Sequence, residues 1–191
     1  MALTPPNILG DMIKNDICDR ALARIGDRVY VADSSQGRAC DLVFDSCLRE
    51  LASAGRWSFI IRRACLHGVV VMGEMRYNLP PDCIRLLTCK LSRWQLRGRA
   101  IVAASGDDKV FVDYLTGDLT EEDFENAPLF TDALVLLIAA KIAAPVSGNF
   151  QLAQMLMEGY KRARDHALTI DKVQDCSNDG DNGMIRRGRA W

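Results

Sequence analysis

The stretch Phe130–Ala144 is apolar at nearly every position, with Thr131, Asp132 and Lys141 as the exceptions. A helix of this composition has no face to give to water, so it must be covered on all sides. In a chain of 191 residues, that requirement suggests packing against neighbouring subunits as well as against the chain's own helices. Leu134, Leu137, Ile138 and Lys141 are therefore the candidate subunit-interface residues. The longest apolar run, Ala133–Val146, is interrupted by Lys141 and nearly ended by Pro145, which reads as too short to span a bilayer. The start of the chain, Met1–Pro6, has neither the basic residues nor the apolar run of a signal peptide. The expectation is a soluble protein made in a cytoplasm, with no membrane partner.

Helical periodicity surrounds this segment on both sides. Leu9, Ile13, Ile17 and Ala21 recur every fourth residue, widened by Cys18, Leu22 and Ile25, which predicts a helix over 8–25 that stops at Gly26. A second helix follows the capping candidates Asp33, Ser34 and Ser35, with Cys40, Val43, Phe44, Cys47, Leu48 and Leu51 on one face and Gly55 as its stop. The third, Phe130–Ala144, breaks at Pro145–Gly148. The fourth runs over 149–173, with Phe150, Ala153, Leu156, Met157, Tyr160, Ala163 and Ala167 in one stripe.

Between helices two and three the period changes from helical to alternating. Trp57, Phe59 and Ile61 alternate with Ser58, Ile60 and Arg62, and 69–71, 77–79, 84–91, 94–96, 100–103 and 110–114 continue as short strands between glycine and proline breaks. Residues 174–191 differ again. Ser177–Gly183 is too polar to fold alone, and it leads into Met184, Ile185, Arg186, Arg187, Arg189 and Trp191, which read as the anchors of an extended arm that docks on a partner. The expected class is α+β: an antiparallel four-helix bundle with a β-rich insertion between helices two and three. The domains are then 1–56 plus 117–173 for the bundle, 57–116 for the insertion and 174–191 for the arm.

Chemistry is hard to place on this frame. Seven cysteines at positions 18, 40, 47, 65, 83, 89 and 176 are odd in number and have no CxxC spacing, which suits small core hydrophobes in a reducing compartment. Cys65 and His67 share a strand face but would sit about 7 Å apart, beyond a hydrogen bond. His166 reads as a surface or interface residue. Cys83 and Cys89 lack common zinc spacing. Asp175–Asp181 imitates the first half of an EF-hand loop, but the twelfth position is Arg186 rather than glutamate. No phosphate-binding glycine loop and no nucleophile elbow occur, and Glu121-Glu122-Asp123 reads as a solvated loop. The net charge of −1 does not suit a general nucleic-acid binder. Even so, Arg62, Arg63, Arg93, Arg97 and Arg99 with Trp57 and Trp94 leave open a sequence-tolerant nucleic-acid-binding module. No catalytic, cofactor-binding or metal-binding residue is assigned.

One ordered set of motifs does stand out. Ala21-Leu22-Ala23-Arg24-Ile25-Gly26 ends the first helix. Trp57-Ser58-Phe59 leads to Arg63-Ala64-Cys65-Leu66, and Tyr77-Asn78-Leu79-Pro80-Pro81-Asp82-Cys83-Ile84-Arg85 follows. Ala143-Ala144-Pro145-Val146-Ser147-Gly148 precedes the last long helix. Over about 8–170 this order resembles the tail tubular protein A family, the head-to-tail adaptors of short-tailed bacteriophages (podoviruses). The resemblance implies a non-enzymatic virion protein without cofactor, assembled in the host cytoplasm. It implies a dodecameric ring between the portal protein and a tubular protein B-like tail nozzle, with tail fibres as a further contact. Genome DNA would pass through the lumen during ejection without sequence-specific binding. The acidic, glycine-containing segment before Met184 is not part of that pattern.

Overall fold

The structure is a computed structural model that describes the backbone of residues 8–26 and 30–183 and the side chains of residues 12–26 and 30–172. The chain divides into two compact units, 1–58 with 120–191, and 59–119.

The first unit is helical: α1 (Ile8–Arg24), α2 (Ser35–Ser53), α3 (Glu121–Glu125), α4 (Pro128–Ser147) and α5 (Phe150–Gly183). The Ser34 side chain caps α2 by accepting a hydrogen bond from the Gly37 amide at 2.9 Å, which satisfies a donor that the helix cannot. Cys40, Phe44, Cys47 and Leu51 then form its buried stripe. α4 carries Pro128 in its first turn, where the missing amide costs nothing, and ends at Gly148 in the left-handed conformation (φ 68°). Pro145 lies inside the last turn and does not break the helix.

α4 is the centre of this unit. Phe130, Leu134, Leu137, Ile138, Ile142 and their small neighbours Ala133, Ala139 and Ala143 are buried, because α1, α2, α3 and α5 all pack on it. Trp57 closes one end. Its ring meets Phe130 edge-to-face at 5.0 Å, and its indole N–H donates to the Leu51 carbonyl at 2.9 Å. By length and composition α4 could cross a membrane, contrary to the expectation from its apolar run.

The second unit is a six-stranded antiparallel sheet in the order β3-β6-β1-β2-β5-β4, curved into a half-barrel. Its strands are β1 (Ile61–Val71), β2 (Glu74–Asn78), β3 (Cys83–Cys89), β4 (Gln95–Arg97), β5 (Ala100–Ala103) and β6 (Lys109–Thr116). A short 3-10 turn, Ser58–Ile60, precedes β1 in place of the expected strand start. Leu66, Tyr77, Cys83, Ile101, Val110, Val112 and Tyr114 form the core of the sheet.

The four-helix bundle with an insertion is thus corrected. The described residues form five helices and a six-stranded sheet with its own core. α1 and α2 touch each other little, and each packs chiefly on α4. The reason is the all-round apolarity of α4. A bundle buries one stripe of each helix around a shared axis, whereas this helix takes the axial place itself. The end of α5 differs too: the helix continues through Gly183, where an extended arm was expected from residue 174.

If α4 is a core helix of the single chain, Leu137→Ala should cost about 2–5 kcal/mol of unfolding free energy. The loss should be the same at every protein concentration in urea titrations followed by circular dichroism. A loss that shrank at high dilution would instead place Leu137 between subunits.

Candidate docking surface

The motif Tyr77–Arg85 builds a corner of the sheet unit rather than a reaction centre. β2 ends at Asn78, and the chain must reverse before β3 begins at Cys83. Two prolines make that turn rigid and remove two backbone donors from it, and the Pro80 carbonyl accepts from the Cys83 amide at 3.1 Å. Arg99 adds side-chain donors: its Nη2 lies 2.6 Å from the Pro80 carbonyl oxygen, 3.0 Å from that of Pro81 and 3.3 Å from that of Cys83. The Leu79 amide returns a bond to the Arg99 carbonyl at 2.9 Å. Asp82 holds the other side. One carboxylate oxygen accepts from the Tyr114 hydroxyl at 2.9 Å and the Thr116 hydroxyl at 2.7 Å, and its carbonyl accepts from the Gly117 amide at 2.7 Å. Burial pushes the Asp82 carboxyl up, but these two hydroxyls and the nearby Arg99 charge outweigh it and hold the group below its ordinary value.

The β1–β2 hairpin that leads into this corner is built differently. The first part of β1, Ile61–His67, pairs with β6, and its last part, Gly68–Val71, pairs with β2. The β1–β2 hairpin therefore overhangs the start of β6. Its turn places Met72 (φ 52°) and Gly73 (φ 82°) in the left-handed region, the backbone of a tight hairpin connection that matches strand twist. The overhang is apolar. Val69, Val70 and Val71 are all exposed, Val70 at 68% and Met72 at 100%. β-branched residues favour the strand, but an alternating strand would put only every second one in water. Three successive exposed valines and a methionine give this tip a surface suited to contact with another molecule.

The basic and aromatic positions divide. Arg63 pairs with Asp113 at 2.7 Å, on the face of β1 that also carries exposed Cys65 and His67. Arg62 donates to the Phe59 carbonyl at 2.7 Å, and Arg99 is committed to the corner. Trp57 is buried in the helical unit. Only Arg93, Trp94 and Arg97 line one shallow groove, and Glu74 lines it with them, 3.1 Å from Arg97.

The candidate interface residues of α4 also separate. Leu134, Leu137 and Ile138 are fully buried by their own chain, so they present no surface in this fold. Lys141 is partly exposed and pairs with Glu50 of α2 at 2.5 Å. The proposed arm residues Met184, Ile185, Arg186, Arg187, Arg189 and Trp191 lie outside the described residues.

Among the described residues no group of His, Cys, Asp and Glu is arranged to hold a metal. Cys83 and Cys89 belong to the apolar interior of the sheet. Cys18 and Cys40 are both buried between α1 and α2. Their mutual hydrogen bond, then burial, pushes the Cys18 thiol far up, while burial raises Cys47 to about 11. These thiols stay protonated and unreactive at neutral pH. Asp175–Asp181 falls within α5, not in a loop. Glu121-Glu122-Asp123 is not a loop either. It opens α3 with a reciprocal cap between Thr120 and Asp123.

Sequence reasoning singled out Tyr77–Arg85 as a motif but missed the role of Arg99, which it grouped with surface arginines. It also missed the hairpin overhang. The signal there was Val69-Val70-Val71-Met72 read against the later start of the strand at residue 109.

Asp82→Asn should destabilise the protein by roughly 1–2 kcal/mol at pH 7, since it weakens two hydrogen bonds to a charged acceptor. The folded carboxyl lies below its unfolded value of about 3.9, so its contribution is complete above that pH and vanishes as pH falls through the folded value. Chemical denaturation of both proteins at pH 7 and below pH 4 should show the difference narrowing on the acid side. Scanned against protein-family models and curated proteins, the sequence matches none of them.

Proposed function

We propose that the chain is a structural subunit of a ring-forming head-to-tail adaptor of a short-tailed phage, similar to tail tubular protein A. It would join the portal to the tail nozzle and line the channel through which genome DNA leaves. The reading rests on the ordered motifs of the sequence, and one structural observation carries it further: the exposed Val69–Met72 tip on a sheet whose own core is complete. An adaptor needs this combination of a self-sufficient fold and an apolar projection for a neighbouring ring. Among the described residues, the β6 side of Val69–Val71 has no ladder partner, and such an edge is one that another strand can extend.

The corner held by Arg99 and Asp82 suits the same role. It keeps the base of the hairpin rigid, so that docking the tip spends little on ordering. The nucleic-acid-binding alternative receives less support. Arg62, Arg63, Arg97 and Arg99 have protein acceptors of their own, and DNA in a channel needs no sequence reader.

Val70→Asp with Met72→Asp should leave the unfolding free energy within about 0.5 kcal/mol, as for other exposed positions. The same pair should weaken association with portal or nozzle rings by about tenfold or more, as loss of a buried apolar anchor does. Co-sedimentation of the purified chain with each ring, with negative-stain images of the product, measures this. Wild-type protein that joins neither ring would sink the adaptor reading. Steeply salt-dependent binding of DNA would then favour the alternative.

A further inference from the structure

A groove of about 400 Å³ runs between α1, α3 and α4 in the helical unit. Its apolar lining is Met12, Ile13, Ile17, Phe124 and Pro128, and Met12 is 63% exposed. Its rim is acidic. Asp16, Glu121, Glu125 and Asp132 face a single cation, Arg20, which pairs with Asp132 and lies 3.8 Å from Asp16. Among the described residues, four carboxylates against one guanidinium leave the groove net negative by three. The occupant it fits is short, carries apolar anchors and bears positive charge.

Outside the described residues the chain carries one such segment near its last residues. Met184-Ile185-Arg186-Arg187-Gly188-Arg189-Ala190-Trp191 joins three arginines to Met, Ile and Trp. Arginine matches carboxylates through its planar pair of donors, and tryptophan and arginine are the residues that most often anchor an interface.

The reach of the chain decides whose groove the segment enters. α4 and α5 form an antiparallel pair joined at Gly148–Asn149. α5 passes the first turns of α4 at about Asp171, which accepts hydrogen bonds from Ser58 next to Trp57 and Phe130. From Asp171 to Gly183 the helix runs on for about 18 Å, and a helix is about 10 Å across. The eight residues that follow span at most about 26–29 Å when extended. Returning past the end of α5 and crossing α4 to the groove would consume about 20 Å or more of that length, and leave too few residues for three arginines and a tryptophan to lie in it. Entering the groove of a second copy needs no such return.

We infer that residues Met184–Trp191 of one subunit dock into the acidic-rimmed groove between α1, α3 and α4 of the next. This deepens the ring reading, and it rests on that reading for the repetition of the contact around a closed ring. The contact is heterologous, because segment and groove are different surfaces, and a heterologous contact gives a ring where its rotation closes.

Two neutral variants test it: a groove variant, Glu121→Gln with Glu125→Gln, and a segment variant, Arg186→Ala, Arg187→Ala and Arg189→Ala. A fluorescent peptide of sequence Met184–Trp191 should bind the full-length segment variant saturably in anisotropy titrations. It should bind at least about tenfold more weakly when the two glutamines are also present, and more weakly in high salt. In sedimentation velocity at high concentration, each variant alone should stay monomeric. Their mixture keeps one intact groove and one intact segment per pair, so it should form dimers and nothing larger. Absence of saturable peptide binding, binding unaffected by the glutamines, or a mixture that stays monomeric would each overturn the inference. None of these readouts uses portal or nozzle, so their failure is separable from failure of the adaptor reading, which is scored by joining to those rings.

Discussion

The constraint on which the helical unit depends is that α4 has no side to spare for water. A single-stripe helix can sit at the edge of a core; one that is apolar around its circumference needs a neighbour in every direction. The chain meets this by surrounding α4 with α1, α2, α3 and α5, and the small residues Ala133, Ala139 and Ala143 let those neighbours come close. The consequences spread outward. α1 and α2 need little contact with each other, because each has its partner in α4. α3, too short to be stable alone, is held by its reciprocal cap and by α4 beside it. Thr131, polar in a buried place, is satisfied by the carbonyls of Phe124 and Ala127 at 3.2 Å, so the only hydroxyl in this part of α4 helps to fix the turn that enters it.

The sheet unit solves a different problem. Its difficulty is not coverage but a corner, where two prolines bring the chain round between β2 and β3 and remove backbone donors as they do so. Arg99 gathers carbonyls of the corner, and Asp82 gathers hydroxyls from β6. The two residues work from opposite ends of one turn, so the corner is pinned to β5 and to β6 together. That rigidity is what allows the β1–β2 hairpin to extend past the start of β6 with three valines and a methionine in water. An overhang on a loose base would be free to collapse onto its own sheet.

Several parts of this fold were legible in the sequence for identifiable reasons. The stripes of α1, α2 and α5 follow the 3.6-residue period, and Ser34 and Gly148 sit where a cap and a stop should be. Most strands appear where alternation and glycine or proline breaks place them. What the pattern could not carry was which surface covers which. Periodicity reports that Phe130–Ala144 must be buried, but not whether its own chain or another one buries it, and Leu134, Leu137 and Ile138 turned out to be enclosed at home. Pro145 reads as a breaker because its missing amide costs one helical bond, yet a single lost bond in an exposed last turn is outweighed by the packing of the residues before it. Arg99 was unreadable for a related reason: its partners are backbone carbonyls, which leave no trace in residue type. The polar run of 174–183 reads as loop on propensity alone, and in the structure it prolongs a helix already nucleated over Phe150–Lys172.

The same reasoning separates the two kinds of apolar surface in this chain. Apolarity on α4 is part of folding, since it is enclosed by four helices of one unit. Apolarity at Val69–Met72 and along the groove between α1 and α3 stays in contact with water after folding is complete. Only the second kind can be used for assembly, because it costs the single chain nothing to give up. A subunit made this way would fold first and associate afterwards, with association depending on surfaces at the margin of each unit rather than on its core. If the chain assembles as proposed, that division would let a charge at the hairpin tip or in the groove change assembly while the fold remains intact, whereas a change within α4 would reach both.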